Sequence, residues 1–251
     1  MSSDPRPPIA SQASVQEALD HGDHQAVLRL TEEILASRPG DDAAHELRAR
    51  SMLALGRIDE AERHVSDAVR LDPDEIRYRE LLAQVLAARG AHRDAAADYG
   101  RLARNDARQR DWVLAEAGER LSAADAVEAV DAARRAVRLS AADPAAQLAL
   151  GRALVRVGDG SGALAAATIA VELLPGDARA RETLADARWL TQQDAAAFAD
   201  FRTLAGELAG ADRDRVIAKA RALYRRRAGP AGRLLAGWPW LFGQVLRAGW
   251  I

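Results

Sequence analysis

A period of 34 residues runs through most of this sequence and leaves few folds open to it. Gly22, Gly56 and Gly90 are 34 residues apart, and Gly158 lies two periods further on, with Ala124 in the vacant position. The other columns in this register are Ala49, Ala83, Ala117, Gly151 and Ala185; Ala61, Ala95, Ala129, Ala163 and Ala197; and Pro39, Pro73 and Pro175. Columns that keep one register without an insertion indicate repeated supersecondary units, each packed on its neighbours.

Each repeat is predicted to be a pair of α-helices. In the unit 42–75 an apolar-periodic run ends at Leu55, and Gly56 suits the left-handed residue that closes a helix. Asp59 is placed to cap a second helix, which must stop before Pro73 because proline cannot continue it. One pair cannot bury its apolar face alone, so the pairs are expected to stack into an all-α solenoid.

The unit 144–177 carries the clearest version of the repeat. Its run "LALGRAL" contains Leu150 and Gly151, and the residues that complete the pattern are Gly158, Ala163, Ala170 and Pro175. These are the signature positions of the tetratricopeptide repeat family, which the sequence resembles. The resemblance implies a right-handed α-solenoid of about six helix-turn-helix units. The implied units are 8–41, 42–75, 76–109, 110–143, 144–177 and 178–211, followed by a capping helix at 212–229.

The first and last units depart from the pattern, as capping units commonly do. Val15 and Val27 replace small residues in the first unit, and Gln192 replaces the turn glycine in the last. In the capping helix, Asp212 is placed as the N-cap. Its predicted apolar stripe consists of Val216, Ile217, Ala220, Leu223 and Tyr224.

The resemblance also implies a concave groove, lined by the first helix of each unit, that binds a protein segment. The predicted groove residues are Glu46, Arg50, Glu80, Gln84, Arg152, Arg156, Arg179, Glu182, Asp186 and Trp189. Their mixed charge favours an extended or helical segment of mixed charge. The sequence therefore predicts a non-catalytic interaction scaffold or adaptor. The alternative is a self-contained structural or oligomerising repeat protein whose C-terminal tail, residues 230–251, completes its own core.

Signals for chemistry are weak throughout the sequence. Cysteine is absent, which excludes disulfides and thiolate metal sites. His21 and His24 flank the turn residue Gly22, and a solvated turn explains them better than a metal site. His45 and His64, like His92, lack the spacing of metal ligands. We therefore expect no catalytic residue, no metal site and no cofactor.

The distribution of charge argues against nucleic acid as a partner. Residues 1–210 carry 26 Lys or Arg and 35 Asp or Glu, so this part of the chain repels phosphate. The N-terminal residues 1–7 are predicted to be disordered and do not form a secretory signal. The expected location is the bacterial cytoplasm, either free or peripheral to the inner face of the membrane.

Residues 230–251 form an apolar tail that does not fit the repeat. Its predicted anchor residues are Leu234, Leu235, Trp238, Trp240, Leu241, Phe242, Val245, Leu246 and Trp250. A basic flank of Arg225, Arg226 and Arg227 precedes them. Three places could bury these side chains: the solenoid itself, a partner protein or second copy of the chain, and a membrane surface.

Overall fold

A computed structural model of the chain describes residues 12–104, 109–227 and 243. Over this part of the chain the regular secondary structure consists of thirteen α-helices without a β-strand, which confirms the all-α prediction. The helices divide between two compact units, Met1–Ala123 and Ala124–Ile251. We call them the N-terminal unit and the C-terminal unit and describe each by itself.

The N-terminal unit is a stack of helices in which each helix packs on the next along the chain. Its described helices are α1 (Gln12–Asp20), α2 (His24–Ser37), α3 (Asp42–Ala54), α4 (Ile58–Leu71), α5 (Ile76–Arg89), α6 (His92–Leu102) and α7 (Gln109–Ser122). The alternate helices α1, α3 and α5 also touch in sequence order. Small residues such as Ala49 and Ala61 are fully buried between α3 and α4, beside Met52 and Val65. They let the two helix backbones approach closely.

The C-terminal unit repeats this plan. Its described helices are α8 (Ala126–Leu139), α9 (Pro144–Val157), α10 (Gly160–Leu173), α11 (Ala178–Leu190), α12 (Asp194–Glu207) and α13 (Gly210–Arg227). Consecutive helices pack together, and α9 also packs on α11. Within each unit the helices thus form the repeated helix-turn-helix stack of an α-solenoid, as predicted. Among the described helices, none is long and apolar enough to span a membrane.

A left-handed residue closes the first helix of each pair. In the N-terminal unit it is always glycine, at Gly22, Gly56 and Gly90, with φ of 71°, 73° and 84°. In the C-terminal unit Gly158 has φ of 81°, but Ala124 and Gln192 adopt φ of 62° without being glycine. A side chain in this region costs about 1–2 kcal/mol. The conformation of the turn is therefore kept even where the sequence does not favour it.

Acidic residues cap several first helices of the pairs, at a place that the sequence prediction missed. Asp41, Asp143 and Asp177 precede α3, α9 and α11, and each side chain accepts a hydrogen bond from a backbone N–H of the first turn. The predicted cap at Asp59 was wrong. Helix α4 begins at Ile58, so Asp59 lies inside the first turn, where its charge suits the helix dipole.

Helix α13 completes the core of the C-terminal unit. It begins at Gly210, so Asp212 lies in its first turn and is not the predicted N-cap. The predicted stripe faces inwards: Val216, Ala220, Leu223 and Tyr224 are buried and Ile217 is partly buried. They pack against residues of α11 and α12, with Phe198, Phe201 and Leu204 at the centre.

Candidate protein-binding surfaces

The groove surface of the N-terminal unit lies on α3 and α5. Four of the predicted groove residues belong to it: Glu46, Arg50, Glu80 and Gln84. Arg50, Glu80 and Gln84 line one open cavity of about 440 Å³. The other lining residues are Leu53, Ala54, Arg77 and Leu81. The structure therefore brings Arg50 together with two side chains of the next repeat that are 30 and 34 residues away in sequence.

The arginines of this groove surface already have carboxylate partners. Arg50 forms an ion pair with Glu46 on the same helix, and Arg77 bonds Glu75 at 3.1 Å from Nε to Oε1. Glu46 is almost fully buried, and burial raises the pKa of its carboxyl group although Arg50 acts in the opposite direction. The cavity thus offers polar atoms of both signs.

The groove surface of the C-terminal unit lies on α9 and α11, where α13 neutralises the acids. Glu182 accepts hydrogen bonds from Arg215 Nε at 3.0 Å, from Arg215 Nη2 at 2.8 Å and from Lys219 Nζ at 2.8 Å. Burial alone would raise the pKa of Glu182, but these hydrogen bonds lower it to about 2. Asp186 also accepts a hydrogen bond from Lys219, and burial nonetheless raises the pKa of Asp186.

Three predicted groove arginines lie on α9 and α11, and Arg152 is close enough to Glu182 for their charges to interact. Arg152 and Arg156 are one turn apart on α9, and Arg179 lies in the first turn of α11. All three side chains are exposed. Partial desolvation lowers the pKa of Arg152, and so do the positive charges of Arg179 and Arg156. Arg156 and Arg179 are therefore each close enough to Arg152 to repel its charge.

Trp189, the remaining predicted groove residue, is only partly exposed. Its ring meets Phe201 edge to face, with centroids 6.4 Å apart and planes at 87°. Such a contact stabilises the core of the C-terminal unit. Part of the indole therefore serves packing and not recognition.

A pair of histidines that sequence spacing did not connect comes together in the N-terminal unit. His45 on α3 and His64 on α4 place their Nδ1 atoms 3.0 Å apart. His45 Nε2 lies 3.1 Å from the carbonyl of Pro39, and Arg48 Nε donates to His64 Nε2 at 3.2 Å. These partners fix both tautomers, since a carbonyl needs a donor and a guanidinium needs an acceptor. A series of hydrogen bonds therefore runs from Arg48 through His64 and His45 to the carbonyl of Pro39.

His45, His64 and Asp67 are also close enough to hold a metal ion, since one ligand atom of each lies within 4.8 Å of the others. An ion bound there would displace the proton that lies between the two Nδ1 atoms. The proton of His64 would then have to sit on Nε2, where it would face the N–H group of Arg48. The geometry therefore favours a hydrogen-bonded pair. Burial lowers the pKa of His64 to about 4, with Arg48 acting in the same direction.

The turn that contains His21 and His24 uses its polar groups locally. His21 Nδ1 lies 2.7 Å from the carbonyl of Glu17, and His24 Nδ1 lies 3.4 Å from Ser51 Oγ. Asp23 accepts a hydrogen bond from the backbone N–H of Ala26 at 2.9 Å and caps α2. Each of these side chains thus has a structural partner.

The basic flank lies at the end of α13. Arg225, Arg226 and Arg227 are exposed, and Arg226 forms an ion pair with Asp194 at 3.2 Å. Cations at a helix C-terminus are favoured by the helix dipole. The predicted anchor residues, from Leu234 to Trp250, lie outside the described residues.

Comparison with known families agrees with this geometry. Two profiles described as tetratricopeptide repeat match residues 18–85 and 148–212, together more than half of the chain. The chain belongs to the tetratricopeptide repeat family. Proteins of this family are generally non-catalytic scaffolds of protein–protein interaction. No curated protein sequence matches this tetratricopeptide repeat chain.

Solved structures show the same fold at low sequence identity. The C-terminal part of a tetratricopeptide repeat protein from Cytophaga hutchinsonii is 15% identical, with a TM-score of 0.70 over 95% of this chain and 99% of that one. A tetratricopeptide repeat protein from Parabacteroides merdae is 14% identical, with a TM-score of 0.68 over 94% and 96%. YrrB, described as a tetratricopeptide repeat protein with an unusual peptide-binding site, is 15% identical, with a TM-score of 0.55 over 82% and 97%.

Proposed function

We propose that this protein is a non-catalytic adaptor that binds a segment of a partner protein on its groove surfaces. The observation that carries the proposal is the cavity of the N-terminal unit, where Arg50, Glu80 and Gln84 converge. Its open form and its apolar floor of Leu53 and Leu81 suit a peptide better than a small molecule, which needs a more enclosed pocket.

The charge of the cavity and the similarity to a known structure support the same proposal. The cavity combines guanidinium, carboxylate and amide groups, which suits a segment of mixed charge. The structural neighbour YrrB is described as having a peptide-binding site. A peptide-binding role for the present chain is in keeping with that neighbour and with the family.

Site-specific photocrosslinking tests the proposal in living cells. A benzoylphenylalanine at Gln84, which is exposed and lines the cavity, is compared with one at Ser66, which is exposed on α4 outside it. We expect a discrete partner protein to crosslink from Gln84 and not from Ser66. The change Arg50→Glu should weaken that crosslink. Equal crosslinking from both positions, or none from Gln84, would contradict a groove-binding adaptor.

We further propose that residues 230–251 attach the adaptor to a membrane surface or a fixed partner. The support is in the sequence: three of the five tryptophans lie there, after the basic flank. Tryptophan and arginine suit a bilayer interface. Co-sedimentation of the full chain and a 1–229 truncation with anionic liposomes, alongside their melting curves, tests this. Sedimentation of the full chain alone, with equal melting, supports a membrane anchor.

The alternative is a tail that completes the core of the protein or joins two copies. It predicts a truncation that melts lower or changes oligomeric state, with no sedimentation of either form. Large apolar side chains contribute about 1.5–3 kcal/mol each when buried, so the loss would be easy to measure.

A further inference from the structure

We infer that Arg152, Arg156 and Arg179 form an anion-binding site in the C-terminal unit, which takes the carboxylates of an acidic segment of the partner protein. The inference rests on the proposed function, since it names the chemistry of the segment that one groove surface binds. We call these three residues the arginine cluster.

The arginine cluster is not neutralised by carboxylates of the described residues. Within the described part of the chain, none of its three guanidinium groups forms a hydrogen bond or an ion pair. Other arginines on the same helix are paired: Arg181 bonds Glu207, and Arg188 bonds Asp200. The two other arginines of α11 are thus paired, whereas the arginine cluster is not. Arg138 and Arg202, on other helices of the same unit, also have no carboxylate partner among the described residues.

The acids nearest to the arginine cluster are already occupied. Glu182 is bonded to Arg215 and Lys219, and Asp186 to Lys219. Arg215 also pairs with Asp212. Together with the arginine cluster, these residues comprise five basic and three acidic side chains, a formal surplus of two positive charges. The whole chain is acidic, with a net charge of −2. An uncompensated positive patch in an acidic protein calls for an external anion.

The undescribed tail cannot supply that anion from its side chains. Residues 228–251 contain no Asp or Glu and add two arginines. A second protein is the better source of carboxylates.

The spacing of the arginine cluster indicates the form of the acidic segment. Arg152 and Arg156 are four residues apart on a helix, which is a rise of about 6 Å. In an extended segment, residues two apart are separated by about 7 Å and face the same side. Guanidinium groups bind carboxylates through paired, charge-assisted hydrogen bonds. Acidic residues at alternate positions of an extended segment therefore match this site.

A nucleic acid fits less well. Phosphates would extend beyond the patch, onto a body with 35 acidic against 26 basic residues over positions 1–210. A short acidic segment meets only the arginine cluster and its surroundings. An oligonucleotide is therefore the competing ligand in the experiment.

Fluorescence anisotropy with the full-length chain tests the inference. The probe is a labelled eight-residue peptide with glutamate at three alternate positions, and its controls carry glutamine or lysine there. We expect the glutamate probe alone to bind, and to bind more weakly as NaCl concentration rises. The triple variant Arg152→Gln, Arg156→Gln, Arg179→Gln should lose at least about 10-fold in affinity.

A matched variant separates the arginine cluster from net charge. Arg134→Gln, Arg138→Gln, Arg202→Gln makes the same change in charge at exposed positions of the same unit, and should change the affinity less than about 3-fold. Circular dichroism melting checks that both variants fold. Equal losses in the two variants, or no binding of the glutamate probe, would overturn the inference. So would tighter binding of an oligothymidylate that depends on the same arginines.

The two proposals fail in different ways. Crosslinking from Gln84 reports on the N-terminal unit and does not involve the arginine cluster. If a partner crosslinks from Gln84 but the glutamate probe does not bind, the adaptor function stands and the acidic segment is wrong. If the probe binds but no partner crosslinks, the anion site stands and the groove of the N-terminal unit is wrong.

Discussion

The two groove surfaces use the same repeat positions and differ in charge: that of the N-terminal unit is mixed, and that of the C-terminal unit has a surplus of positive charge. In the N-terminal unit, Glu46 pairs with Arg50 on its own helix. In the C-terminal unit, Glu182 occupies the corresponding position, and its partners Arg215 and Lys219 come from α13. Arg152, Arg156 and Arg179 are therefore left without a carboxylate partner among the described residues.

This difference shows that a capping helix can set the charge of a neighbouring surface as well as close a core. Helix α13 covers the apolar face of the last pair, as a terminal element of a repeat array must. Its basic residues Arg215 and Lys219 also form ion pairs with Glu182 and Asp186 of α11. The apolar stripe of α13 and the charge of the arginine cluster should thus depend on each other.

The largest effect is expected from loosening α13. Leu223 is fully buried in the core of the C-terminal unit, so Leu223→Ala should cost about 2–5 kcal/mol in free energy of unfolding. It should also free Glu182 and Asp186 to pair with the arginine cluster and so weaken binding of the glutamate probe. Urea unfolding and anisotropy measure the two effects.

Met52→Ala is the matched control in the N-terminal unit, where Met52 is 1% exposed. It should destabilise the protein by a similar amount and leave probe binding unchanged. Equal probe affinity for Leu223→Ala and the wild type would show that α13 does not control the charge of the C-terminal groove surface.

Acid should affect the N-terminal unit first, through His64. The pKa of His64 is about 4 in the folded protein and about 6.5 when unfolded, so the unfolded state takes up the proton first. The contribution of His64 to the free energy of unfolding is complete above pH 6.5, falls as the pH drops to 4 and is constant below that. The total loss is about 2 kcal/mol after allowance for partial exposure of the ring.

Urea unfolding at pH 7, 5.5 and 4 measures this loss. His64→Gln cannot titrate, so its free energy of unfolding should depend less on pH in this range. His21→Gln, at an exposed turn, serves as control and should behave as the wild type. An identical pH dependence in all three proteins would argue that His64 is not held neutral by the fold.

The C-terminal unit should respond to acid in a lower range, through Glu182. Its pKa is lowered to about 2, so its contribution is complete above pH 4.5 and is lost as the pH falls towards 2. We expect a loss of about 1–2 kcal/mol. Glu182→Gln should remove this dependence, as measured by urea unfolding at pH 5, 3.5 and 2.5. If Glu182→Gln still lost the same stability between pH 5 and pH 2.5, that loss would have to come from other carboxylates.

The smallest effect concerns the turns, which also differ between the units. Of the described turns that close the first helix of a pair, all three in the N-terminal unit use glycine. Two of the three in the C-terminal unit, at Ala124 and Gln192, do not. Ala124→Gly and Gln192→Gly should each stabilise by about 0.5–1 kcal/mol, since relief of the left-handed strain exceeds the entropic cost of glycine.

The reverse change, Gly56→Ala, is the control for this prediction and should destabilise by about 1 kcal/mol. Thermal melting of the three variants gives the comparison. If Ala124→Gly were less stable than the wild type, the methyl group of Ala124 would stabilise the fold more through packing than the left-handed φ destabilises it.

The fold could be predicted from the sequence because it depends on columns of small residues. Alanines such as Ala49 and Ala61 recur every 34 residues and are fully buried where helices meet, so period and packing carry the same information. The caps were harder. Asp59 resembles a cap by residue type, but the helix begins one residue earlier, and the true caps at Asp41, Asp143 and Asp177 form a further column of the same period.

The candidate sites were predictable only in part. Repeat position placed Arg50, Glu80 and Gln84 on one surface, and the cavity contains all three. Which arginines remain unpaired depends on side chains of α13, about one repeat away in sequence. His45 and His64 are 19 residues apart, so only the packing of α3 on α4 shows that they meet.

Hydrogen exchange of the full-length chain, with and without a saturating concentration of the glutamate probe, tests the central contrast most directly. Both groove surfaces are present in one molecule, so each serves as the control for the other. The account predicts slower exchange in α9 and α11 and no change in α3 and α5. Protection of α3 and α5 instead, or equal protection of both surfaces, would contradict it.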